Sequence, residues 1–161
     1  MVWINYQYFT QRWLERAERT DEPVDEGDRF ISLWIAFNGW MKGEFGERIS
    51  DRGLIRKVKA FGPIKGVFDT LRSSNNDFAR ALGELGQYSV IDMRYPDDIN
   101  KQQQYDDTFE SLIETIYQIR CNLFHGRKET TEDSKDRHLV CLAYNILLPL
   151  FKEYMSLYGH T

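Results

Sequence analysis

The sequence predicts an all-α protein, an up-and-down bundle of four main helices with a short helical insertion between helices two and three, folded as one domain over residues 1–161. Three observations lead there. Apolar residues recur at steps of three and four near both ends of the chain. One early segment is apolar nearly all round, as a central bundle helix is. The middle of the chain is broken repeatedly by Gly, Pro, Ser and Asn.

In order along the chain, Trp3, Tyr6, Phe9, Trp13 and Ala17 step by three or four and predict an amphipathic helix over residues 2–20. "TDEPVDEGD" is an acidic break, and Asp25 or Asp28 is placed to cap the next helix. "RFISLWIAFNGWMKGEF" is the central helix, and Gly39 within it predicts close packing against a neighbour. Residues 51–88 predict short helices broken at Gly62-Pro63 and at Ser73 to Asn76. "YSVIDMRYPDD" has no helical period and reads as an ordered loop or a brief strand. From Asp106 onward, Phe109, Leu112, Ile113, Ile116, Ile119, Leu123 and Phe124 mark a long helix. "GRKETTEDSKD" is a polar connection, and Arg137 to Tyr158 forms the last helix, with a kink expected at Pro149.

Composition narrows the function. A chain of 161 residues, 42% hydrophobic and 14% aromatic, has material for a real core. Its net charge of −4 removes the broad basic footprint of a nucleic-acid binder, so a polyanion site has to be a local patch. Cys121 and Cys141 fall on apolar helical patterns and read as buried small hydrophobes, too few for a disulfide framework. Charges begin too early for a signal peptide, and no apolar run approaches the ~18 residues of a membrane span. A reduced, cytoplasmic protein without a membrane partner is the expectation.

The chemistry concentrates in "YQIRCNLFHGRK", residues 117–128. Leu112, Ile116, Ile119 and Leu123 form one stripe, and Arg120 lies one residue off it. A charge bordering a buried seam needs an anion, a carbonyl or water. His125 comes five residues later, and at about 100° per residue the two side chains diverge by roughly 140° on an ideal helix. Gly126 is placed to end the helix. Two readings stand open: a helix end with polar trim, or a site completed where the helix distorts or a second copy faces the first.

"RCNLFHG" resembles the Arg-x4–6-His signature of HEPN domains, small all-α modules found in RNases, toxins and other anti-invader systems. The specific part is about seven residues; the agreement in helical order covers the whole chain, which makes residues 1–161 a single HEPN-like domain by this resemblance. The polar residue that the family often places directly after its Arg is displaced here, since Cys121 is next to Arg120 and Asn122 carries the polar group. The resemblance implies metal-independent RNA cleavage, without a cofactor, in a composite site at a homodimer interface. By the same resemblance Arg120 holds the phosphate, His125 moves the proton and Asn122 supports them. Arg127 and Lys128 are placed to contact RNA. Asn38, the odd polar residue in the most apolar helix, either ties down a carbonyl across the bundle or reaches behind the Arg120/His125 cleft. An antitoxin or regulatory protein is a further partner that the resemblance implies. The competing expectation is a non-catalytic helical dimer that binds nucleotide, RNA or a partner protein.

Other patterns are weaker. The three histidines form no HxH or HExxH motif, and Asp92, Asp97 and Asp98 read as a solvated turn with caps rather than a metal site. "GPIKG" lacks a Walker ending. Lys42, Arg48, Arg52, Arg56, Lys57, Lys59 and Lys65 outnumber the acids around them, and read first as a solvated helix face. Trp34 and Trp40 read as core or interface anchors.

Overall fold

A computed structural model describes residues 4–19, 25–125 and 134–159; of His125 and Ser134 it describes the backbone only. Seven α-helices and one 3-10 turn make up the described chain: α1 (Tyr6–Ala17), α2 (Glu26–Phe45), α3 (Asp51–Lys59), α4 (Gly62–Ser74), α5 (Asn76–Leu85), the turn Ile99–Lys101, α6 (Phe109–His125) and α7 (Ser134–Tyr158). The all-α class stands. The expected bundle of four main helices with one short insertion does not. Three full helices occupy the middle, and they are part of the core: α3 packs on α6, and α4 and α5 pack on α7. Each brings its own apolar stripe, as Leu54, Ile55 and Val58, Ile64, Val67 and Phe68, and Phe78, Leu82 and Leu85 are all buried. Short helices between breaks suggest an appendage, but their stripes require a partner, and α6 and α7 provide it.

Local chemistry sets the ends. Asn5, Asp25, Ser50 and Asn75 each accept a backbone N–H at the start of a helix. Asn75 alone makes the break between α4 and α5, and Phe61 precedes α4, whose first turn holds Pro63. The Thr108 hydroxyl accepts the Ser111 N–H at 3.1 Å and opens α6. Helix α7 begins three residues before the expected Arg137 and runs through Pro149, which removes one backbone donor.

α1 and α2 lie antiparallel in close contact. A Cβ on Gly39 would sit 2.6 Å from the Phe9 ring, and one on Gly43 2.8 Å from the Tyr6 Cβ. On its other side α2 meets α7, where Phe37 packs edge-on to Phe151 and Trp40 to Tyr154, at centroid separations of 5.3 and 5.0 Å. Trp34 and Trp40 are thus anchors of the chain's own core. The segment after α5 is an ordered loop that carries, among the described residues, one antiparallel bridge, Val90 to Gln103. Both cysteines are half-buried rather than buried. Burial, with Glu26 beside it, pushes the Cys141 thiol up to about 11. Among the described residues no helix is long and apolar enough to cross a membrane.

Candidate functional site

The last two turns of α6 carry Arg120, Asn122 and the backbone of His125. Arg120 is half-buried, with its guanidinium carbon 4.6 Å from the Phe124 ring centroid and 5.8 Å from that of Trp34. Trp34 in turn stacks on Tyr117 at 6.0 Å. This aromatic bed comes from α2 and α6 together, and it carries the alkyl stem and planar head that an Arg buries readily. Only one anion reaches the guanidinium among the described residues: Asp51 of α3, 3.6 Å from Nη2 and itself 41% exposed. Nη1 lies 4.0 Å from the Cys121 sulfur, and buried Nε has no partner among the described residues.

Asp51 links two of the predicted residues. Its other oxygen accepts from the Asn38 amide at 3.4 Å. Asn38 therefore reaches toward the Arg120 locus through a carboxylate, not across the bundle to a carbonyl. Nothing in the sequence marks Asp51, which stands there as one acid within a basic stretch. Its place results from α3 running antiparallel to α6. Lys59 and Arg52 of α3 both donate to Glu114 at 2.6 Å, and Lys65 donates to Glu110 at 3.1 Å. The basic stretch is thus partly consumed in pairing with α6. Burial would raise the Glu114 pKa, but the bonds from Lys59 and Arg52 outweigh it and hold the carboxyl below its usual value.

Asn122 is engaged elsewhere. Its amide donates to the Ile91 carbonyl at 2.6 Å, and its oxygen accepts from the Met93 N–H at 3.1 Å and from Gln118 Nε2 at 2.9 Å. It fastens the loop after α5 onto α6. Nearby, Asp92 is buried and bonded to the backbone and side chain of Arg94, whose guanidinium lowers the Asp92 pKa against the effect of burial. Asp98 caps the 3-10 turn by accepting from the Asn100 N–H. Among the described residues no group of His, Cys, Asp and Glu is placed to hold a metal ion. The His125 backbone ends α6; its side chain, and Gly126, Arg127 and Lys128 altogether, lie outside the described residues.

No family model matches the chain, and no curated protein or solved structure does either.

Proposed function

We propose that the chain is a HEPN-like, metal-independent endoribonuclease that works as a homodimer, in the setting of a toxin–antitoxin pair or another defence system. The observation that carries this reading is the state of Arg120. A guanidinium has five N–H donors. Here it lies against Phe124 and Trp34, yet among the described residues meets one carboxylate oxygen, at 3.6 Å. A phosphate, with several oxygens in fork-compatible positions, suits the donors that Asp51 leaves unfilled.

In this mechanism His125 removes the ribose 2′-OH proton, and the 2′-oxygen attacks the adjacent phosphorus. Arg120 stabilises charge on the pentacoordinate phosphorus. The 5′-oxygen leaves with a proton from His125 of the second copy. The products are a 2′,3′-cyclic phosphate and a 5′-hydroxyl. An imidazole's ordinary pKa, about 6.5, serves both proton transfers. Arg127 and Lys128 add phosphate contacts, and Asn38 acts behind Arg120 through Asp51. Asn122 is assigned to holding the loop, a positioning role only.

RNA incubated with the full chain in EDTA is expected to yield cyclic-phosphate ends, and Arg120→Ala and His125→Ala are expected to abolish them with helical content and dimerisation retained. Intact RNA across many sequences, or unfolding of both variants, refutes the proposal. A second reading has its own observation. Asp51 already opposes the Arg120 charge, which is what a purely structural arginine in a non-catalytic, nucleotide- or protein-binding helical dimer requires. Folded, dimeric protein that binds but never cuts RNA supports that reading.

A further inference from the structure

A separate cavity of about 410 Å³ opens where the start of α1 meets the ends of α2 and α7. Its walls mix the polar Asn5, Gln7 and Thr10 with four aromatic rings: Tyr6 from α1, Trp40 from α2, and Tyr154 and Tyr158 from α7. Trp40 and Tyr154 meet edge to face at 5.0 Å and 69°, forming a corner, and Tyr158 stacks on Tyr154 at 5.2 Å. Trp40 is 8% exposed and anchored in the core, whereas Tyr158 is 53% exposed and forms the lip. Tyr6 stands over Gly43, where any side chain would collide with it.

Charge narrows what fits. Among the described residues Glu44 is the one charged group in the lining, and no Lys or Arg accompanies it there. A second carboxylate, Glu47, accepts from the Tyr6 hydroxyl at 3.0 Å at the rim. A phosphate or carboxylate ligand would face Glu44 without a counter-charge. A neutral apolar ligand would leave the exposed Glu44 carboxylate without a counter-charge. A cation with an apolar surface meets both requirements, since the exposed Tyr158 ring attracts it and the carboxylate neutralises it. At the back of the cavity the Thr10 hydroxyl is buried and has no partner among the described residues.

We propose that this cavity binds an organic cation bearing a quaternary or methylated ammonium group. The site lies apart from Arg120 and does not depend on the nuclease reading. The full chain is titrated by calorimetry with choline and with 3,3-dimethylbutan-1-ol, its neutral carbon isostere. Choline is expected to bind saturably, and the isostere at least about 5-fold more weakly, because only the cation gains from the Tyr158 ring and Glu44. Glu44→Gln and Tyr158→Ala, both at exposed positions, are each expected to weaken choline binding about 5-fold with the melting temperature unchanged. No saturable choline binding below about 20 mM overturns the proposal. So does equal affinity for the isostere, which means an apolar slot, or full affinity in both variants, which means binding elsewhere.

Discussion

Replacing Asn122 with Ala tests whether this residue holds the loop or takes part in chemistry. The side chain makes three hydrogen bonds, to the Ile91 carbonyl, the Met93 N–H and the Gln118 amide, at 2.6, 3.1 and 2.9 Å. Each such bond contributes roughly 0.5–1.5 kcal/mol net, and truncation strands two part-buried backbone groups, so a loss of about 2–4 kcal/mol is expected. For a chain of 161 residues, at ~2–4 °C per kcal/mol, the melting temperature falls by about 4–16 °C. Thermal unfolding traced by circular dichroism reads this directly. Asn122→Asp keeps an acceptor for Met93 but sets a carboxylate against the Ile91 carbonyl, so it is expected to destabilise as well. A melting temperature within about 1 °C of the parent for Asn122→Ala refutes the reasoning. If RNA cleavage were lost in that stable variant, Asn122 would belong to the chemistry after all.

Gly39→Ala places a methyl 2.6 Å from the Phe9 ring and is expected to cost about 1–3 kcal/mol, read as a lower urea midpoint; an unchanged midpoint would show that α1 yields freely. Glu114 has a folded pKa below its ordinary 4.5, so its contribution is present above that value and is lost as pH falls through the folded pKa. Glu114→Gln is expected to lower stability by about 1–2 kcal/mol at pH 7, with the gap closing only as the pH falls below the ordinary 4.5 and through the lower folded pKa; a gap constant with pH contradicts the assignment. Asp51→Asn removes the anion at Arg120 and is expected to tighten RNA binding several-fold in filter-binding assays at low salt, while weaker binding would make Asp51 part of the RNA surface.

The helices legible in the sequence are those whose apolar period runs unbroken. Phe109 to Phe124 and the segment around Trp34 and Trp40 carry enough turns for the pattern to stand alone. α3, α4 and α5 are legible as short helices but not as core, because period says which residues share a face and not what covers it. The break at Gly62-Pro63 is visible because Pro fits a first helical turn, and Asn75 is visible because Asn caps. The site is legible only in part. Arg120 stands out because a charge beside a buried stripe needs a partner. Asp51 cannot be found that way, since its contact depends on how α3 crosses α6. The Asn122 bonds to Ile91 and Met93 run to a loop whose docking no local pattern encodes.

The packing of α3 against α6 also decides what Arg120 is free to do. Along α6, Glu110 and Glu114 meet Lys65 and the pair Lys59/Arg52, and Arg120 meets Asp51, so opposite charges match in order along α6 and the antiparallel run from α3 into α4. The acidic end of that ladder is close and well paired; the Arg120 end is long and half-open. A partly exposed pair of that kind contributes at most about 1 kcal/mol. Arg120 is therefore held by the Phe124 and Trp34 rings as well as by Asp51. An anion that displaces Asp51 loses little and finds the guanidinium already oriented. The same stacking joins α2 to α6, so it serves a structural arginine as well as one that meets a charge developing on a ligand.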